Sequence, residues 1–206
     1  SVIKGWEGSE LIGSPPWGPG QYVLAKMMLH ALFTAETHNF PTGKAPFQGA
    51  ETGTGGRIRD SEATGRGSTA IAGTAAYCAA HLLISGYVLP WEKPGVYPKD
   101  LARALDIIIR GSDGASDYGN KFCEPVIQGC SHSVEIILPE GRRVAFLKPI
   151  MFTGGGGKIR AEHVKKAEAQ NGDVVVQIGG PADRIGFGGG AASSQIQGAH
   201  ASDLEF

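Results

Sequence analysis

Glu36, His38, Arg59 and Asp60 are the residues of this chain best suited to chemistry. They lie in two short runs, Glu36-Thr37-His38-Asn39-Phe40-Pro41 and Gly53-Thr54-Gly55-Gly56-Arg57-Ile58-Arg59-Asp60, with Thr64-Gly65-Arg66-Gly67 close behind. Together they supply carboxylates, a histidine, an amide and arginines. That mixture suits a site that holds a metal, holds a phosphate and moves a proton. Glu36 and His38 are two apart, so on an extended strand they share a face. Arg59 and Asp60 are expected on a second short strand, after a turn of Gly and Thr. If the two strands are neighbours, Glu36 and Asp60 suit Mg²⁺, which takes oxygen ligands and keeps several waters. The bland alternative makes both of them surface or salt-bridged carboxylates beside Arg57 or Arg59. His38 can act as general acid or base near neutral pH, or be a hydrogen-bonded structural histidine. Arg57, Arg59 and Arg66 offer bidentate donors to phosphate or carboxylate. His30, His81, His132, His163 and His200 show no paired spacing and read as structural or exposed.

The elements that must position these groups are punctuated by glycine. There are 32 glycines in 206 residues, about twice the usual ~7% share. They cluster between apolar segments, which points to turns whose backbone amides bind anions. Thr64-Gly65-Arg66-Gly67 and Gly188-Gly189-Gly190 have that composition. Neither is a P-loop, because no Gly-Lys-Ser/Thr follows, and neither has the dinucleotide spacing. Residues 1–20 read as a loose lead-in, broken by Pro15, Pro16 and Pro19. Residues 22–33 are apolar, and periodicity leaves strand and helix open. Residues 69–80 suit a buried strand. Residues 99–110 read as a helix: Pro98 precedes it, Leu101, Leu105 and Ile108 are spaced for one face, and Gly111 ends it. Residues 114–125 then form a polar loop. A hairpin is expected around Pro139-Glu140-Gly141. A composition change at Lys148-Pro149 marks a domain boundary. Beyond it come a helix or turn near 161–169 and a strand over 174–178 leading into glycine-rich turns.

Bulk composition narrows the class. Hydrophobic residues are 41% and charged residues 19%, with a net charge of −1. This suits a soluble globular protein without the basic surface that nucleic acid needs. The apolar runs 79–84 and 107–109 are too short to span a bilayer, and no signal peptide is visible at the start. Cys78, Cys123 and Cys130 lack metal-type spacing and read as reduced intracellular thiols. Cys123 and Cys130 fall in a loop-like stretch, where a thiol can be reactive.

The runs quoted above combine with Gly114-Ala115-Ser116-Asp117-Tyr118-Gly119-Asn120-Lys121-Phe122, Lys148-Pro149-Ile150-Met151-Phe152 and Gly188-Gly189-Gly190-Ala191-Ala192-Ser193-Ser194. In that order they resemble the phosphoribosylformylglycinamidine synthase family, in its large, eukaryote-like, single-chain form. The resemblance implies an α/β (α+β) fold. A mixed sheet packed with helices, like the N-terminal domain of aminoimidazole ribonucleotide synthase, is followed by the start of a second α/β domain. The expected divisions are a lead-in over 1–33, a first synthase-core domain over 34–147 with the substrate and Mg²⁺ site, and the start of a nucleotide-binding domain over 148–206.

The family makes formylglycinamidine ribonucleotide from formylglycinamide ribonucleotide, ATP and glutamine in purine biosynthesis. ATP activates the amide oxygen as an iminophosphate, which ammonia from a separate glutaminase domain displaces. By the same resemblance Glu36 and Asp60 are Mg²⁺ ligands and His38 is the acid/base group. Thr37, His38, Asn39, Phe40 and Arg59 contact the substrate. Separately from the resemblance, the composition of the two glycine turns makes Arg66, Gly67, Gly188, Gly189 and Gly190 candidates for phosphate. Three positions depart from the family pattern: Thr34 and Phe40 stand where bacterial relatives have Lys and a second His, and Cys123 replaces a common glycine. The resemblance also implies a cytoplasmic fragment of a larger enzyme, whose remaining synthase and glutaminase domains are its partners, with no nucleic acid or membrane. The alternatives are a non-catalytic substrate-binding or assembly fragment, or a related ATP-dependent synthase acting on another substrate.

Overall fold

A computed structural model describes residues 1–13 and 20–180. Five strands build one mixed sheet in the order β1-β2-β7-β3-β4. They are β1 (Val2–Gly13), β2 (Tyr22–Thr37), β3 (Thr69–Ala79), β4 (Val126–Ser133) and β7 (Ile150–Arg160). β3 and β4 run parallel, and the other pairs are antiparallel. Helices α1 (Asn39–Lys44), α2 (Pro46–Glu62) and α3 (Ala104–Lys121) cover one face. A small hairpin, β5 (Glu135–Ile137) with β6 (Arg143–Ala145), forms a separate two-stranded sheet.

Alternation along the strands decides which residues meet the helices. In β3, Gly73, Ala75, Tyr77 and Ala79 are buried at every second position. In β7, Met151, Thr153 and Ile159 point inward, and Phe152, Lys158 and Arg160 fall on the opposite face. α3 buries Ala104, Ile107, Gly111, Gly114, Ala115 and Gly119, a stripe at helical spacing that packs on α2. Ala50 of α2 and Ala115 of α3 join Ala75, Tyr77 and Met151 in one core cluster.

Several expectations change. Residues 2–13 are an edge strand rather than a loose lead-in; the Phe33 amide donates to the Ser1 carbonyl at 2.9 Å. Pro15, Pro16 and Pro19 lie outside the described residues. Residues 22–37 are strand. The third helix begins at Ala104 and runs through the expected loop to Lys121. Gly111 and Gly114 continue its buried face instead of ending it. Lys148-Pro149 is no break in the sheet, because β7 follows directly and lies between β2 and β3; a second domain cannot begin at 148. The turn around Pro139-Glu140-Gly141 does carry a hairpin, with Gly141 at φ +81°. Residues 161–163 form one 3₁₀ turn, and no longer helix follows among the described residues. Residues 174–178 are not a strand: their valines are largely exposed, and no described strand pairs with them. No described helix is long and apolar enough to cross a membrane.

Candidate functional site

Glu36 closes β2, in register with Thr153 of β7. His38 follows immediately as the residue before α1, with φ −133° and ψ 65°, so it has left the strand. The chain here is stitched to β7 from both sides. The His38 amide donates to the Met151 carbonyl at 2.9 Å, and the Met151 amide donates to Asn39 Oδ1 at 2.9 Å. The Thr42 hydroxyl donates to the His38 carbonyl at 2.5 Å. The imidazole is oriented as well: Nδ1 lies 2.6 Å from the Gly49 carbonyl oxygen. A carbonyl only accepts, so Nδ1 carries the proton. Neutral His38 therefore keeps its lone pair on Nε2, free to take a proton.

α2 brings the remaining groups. Its segment Gly53-Thr54-Gly55-Gly56 was expected to be a turn before a second strand. It is helix, begun by Pro46 at its first turn. The glycines serve close approach. A Cβ at Gly53 would sit 2.8 Å from His38 Cβ, at Gly55 2.5 Å from the Tyr118 ring, and at Gly56 2.8 Å from Glu36 Oε2. The small residues let His38, Tyr118 and Glu36 lie against the helix. Glu36, His38 and Arg59 thus border one cleft of about 790 Å³. Tyr118 of α3 and Phe122, which caps that helix, form another part of its wall, with rings stacked at 4.4 Å and 12°. Sequence reasoning missed these two as cleft residues because it ended the helix at Gly111. Their spacing of four along one helix was the available signal.

Other expected site residues lie elsewhere. Asp60 is on α2, not a strand, and does not line the cleft; its exposed carboxylate lies 3.5 Å from Arg59 Nη2. Thr37 is exposed. Asn39 spends its side-chain oxygen on Met151. Phe40 is buried with Leu101 and Tyr97, so its ring packs in the core. Thr34, at the position where bacterial relatives have Lys, hydrogen-bonds the Ser61 hydroxyl at 2.9 Å and ties β2 to α2. Gly188, Gly189 and Gly190 lie outside the described residues. Arg57 is fully buried, not a ligand donor. Its guanidinium grips both oxygens of equally buried Glu124, and its Nε donates to Thr153 Oγ1 at 3.2 Å. Gly73 and Gly155, facing each other across β3 and β7, leave the room this ion pair fills.

One atom tests whether the cleft suits a metal. Glu36 Oε2 is buried without a hydrogen-bond partner. A buried carboxylate oxygen left unpaired is costly, and a hard divalent cation would satisfy it. No three His, Cys, Asp or Glu side chains converge as a metal cage among the described residues. The arrangement fits an ion bound through one carboxylate, with its other positions left to water or ligand oxygens.

The fold and cleft define an α/β domain: a mixed sheet, a helix pair on one face, and a carboxylate, a histidine and an arginine at one opening. No family model matches the chain. It is 53% identical over 208 residues to phosphoribosylformylglycinamidine synthase of Homo sapiens, and 53% identical over 207 residues to that of Dictyostelium discoideum. Both alignments cover 100% of this chain, yet the chain spans only 16% and 15% of those proteins. Over its whole length the chain is thus similar to one segment of these phosphoribosylformylglycinamidine synthases. Among solved structures, T. maritima PurL complexed with FGAR is 25% identical with a TM-score of 0.40, over 65% of this chain and 16% of that one.

Proposed function

We propose that the chain is the substrate-side part of an ATP-dependent ligase that converts formylglycinamide ribonucleotide to formylglycinamidine ribonucleotide. ATP drives the step, and ammonia derived from glutamine comes from another domain of the same cytoplasmic polypeptide. The observation that carries this reading is the unpaired Glu36 carboxylate oxygen beside an oriented His38, in a chain so similar to known synthases. Glu36 would hold Mg²⁺, whose charge would offset that on transferring phosphoryl oxygens. His38, fixed by Gly49, presents Nε2 to take a proton from the amide being activated. Arg59 reaches from α2 toward the anionic substrate. Asp60 could add a second Mg²⁺ contact only by turning away from Arg59.

The test uses the whole natural enzyme. His38→Ala should lower synthase turnover by about 10²–10⁴-fold and leave glutamine hydrolysis intact; unchanged synthase turnover would remove His38 from the mechanism. Glu36→Gln should weaken Mg²⁺ binding measured by calorimetry in the presence of an ATP analogue. Undiminished metal binding would transfer the ligand role to another residue.

A further inference from the structure

Arg66 does not open onto the His38 cleft. It borders a second pocket of about 290 Å³, together with Lys158 and Arg160 of β7 and His163 of the 3₁₀ turn. The Thr64-Gly65-Arg66-Gly67 turn was expected to bind anions through its backbone, but the amides of Thr64, Arg66 and Gly67 are already used. Arg66 donates to the His163 carbonyl at 2.7 Å, Gly67 to Thr64 at 3.0 Å and Ser68 to Glu62 at 3.2 Å. Lys166 Nζ braces the turn, donating to the Gly65 carbonyl at 2.8 Å. An anion here would therefore meet mainly side chains.

Those side chains carry surplus positive charge. Arg66, Lys158 and Arg160 face a single carboxylate, Glu10 of β1. Glu10 lies 2.5 Å from Lys158 Nζ and 3.0 Å from Arg160 Nε, so it is shared between two cations. Hydrogen bonding to Lys158 holds its carboxyl below the usual range, so Glu10 is ionised at neutral pH. The Arg66 guanidinium has no side-chain partner among the described residues. Three cations against one anion leave a surplus of two charges, with His163 left out of the count. A doubly charged oxyanion matches that surplus, and a guanidinium fork suits its geometry.

We infer that this pocket binds a phosphate group, gripped by Arg66 with Lys158 and Arg160, and that Glu10 competes with it for those cations. The side chains of Lys158 and Arg160 are about one-third exposed, 32% and 31%. Binding is therefore weak and falls with salt. The site is separate from the His38 cleft and does not depend on the proposed reaction.

The experiment is calorimetric titration of the whole natural protein with inorganic phosphate at low ionic strength, with ribose 5-phosphate in a second series. Arg66→Gln should weaken one phosphate site by about tenfold. Glu10→Gln should tighten it by about threefold by removing the competing charge. Arg59→Gln, in the other cleft, should leave that site unchanged. Lys158→Gln is the second variant, and it should weaken phosphate as Arg66→Gln does. Tighter binding of ribose 5-phosphate than of phosphate identifies a sugar phosphate as ligand, and equal binding identifies the free ion. The inference is overturned if phosphate binding ignores Arg66→Gln and Lys158→Gln, if Glu10→Gln weakens it, or if acetate at equal ionic strength displaces phosphate as well as phosphate itself does. It is also overturned if no phosphate binds because an acidic side chain from elsewhere in the protein occupies the pocket.

Discussion

At the residue scale, backbone geometry explains what residue identity leaves open. Cys123 stands where a glycine is common in the family that the sequence resembles, and it has φ +57°. It lies just past Phe122, the residue that caps α3, and the next amide, Glu124, donates back to the Gly119 carbonyl at 2.9 Å. This is a left-handed helix stop, a position that favours glycine because a Cβ strains it. Cys123→Gly should therefore stabilise the protein by about 1 kcal/mol, the relief of left-handed strain less the extra freedom of the unfolded chain. The check is a rise in the denaturant midpoint at unchanged slope; a fall would refute the strain. Of the other thiols, Cys130 lies in β4 and is exposed, while burial, then the neighbouring Cys130, push the Cys78 thiol up. Cys78 is thus the least reactive of the pair.

At the element scale, α2 is a helix that its own composition disfavours. Each interior glycine costs about 1 kcal/mol relative to alanine, so packing must hold it. Gly55→Ala would drive a methyl into the Tyr118 ring, 2.5 Å away. A loss of about 1–3 kcal/mol is expected, the usual cost of overpacking, read as a lower thermal midpoint. A stability gain, which helix propensity alone would give, would show that Tyr118 yields freely. The Arg57–Glu124 pair pins the middle of α2 over the sheet, with both side chains at 0% exposure. Arg57→Ala leaves a carboxylate buried without its partner and should cost about 3–5 kcal/mol. Arg57→Leu combined with Glu124→Leu should cost less than Arg57→Ala in the same denaturation assay, because no uncompensated charge remains. A double variant less stable than the single would contradict this account.

At the scale of the whole molecule, depressed carboxylates tie the chain together, locally at Glu92 and Glu135 and across the sheet at Glu10. The backbone amide of Leu89 bonds Glu92 and holds its carboxyl below the ordinary 4.5, against the opposing effect of burial; Leu83 and Leu82 add to it. Arg143 does the same to Glu135, fastening β5 to β6, and Lys158 to Glu10, fastening β1 to β7. Each folded pKa lies below its unfolded value. The stabilisation is therefore complete above about pH 4.5 and is lost as pH falls through the folded values. Stability measured by denaturant should be flat from neutral pH down to that point and then drop. Glu92→Gln should flatten part of the drop; an unaltered acid limb would exclude Glu92 as a contributor.

The buried strand within residues 69–80, the turn at Pro139-Glu140-Gly141 and the ordered runs from Glu36 to Gly67 were legible in the sequence, because each is written in local composition and spacing. So were Glu36, His38 and Arg59 as a group. Local spacing could not reveal that Gly53-Thr54-Gly55-Gly56 is helix, since isolated glycines favour turns and only the contacts with His38, Tyr118 and Glu36 reverse that preference. Nor could it separate Arg57 from Arg59. The two lie two positions apart on one helix, about 200° around it, and that rotation sends one to Glu124 in the core and the other to the cleft. The sequence by itself determined which groups were available for chemistry. Tertiary packing decided which of them face a ligand, because burial and partners depend on elements distant along the chain.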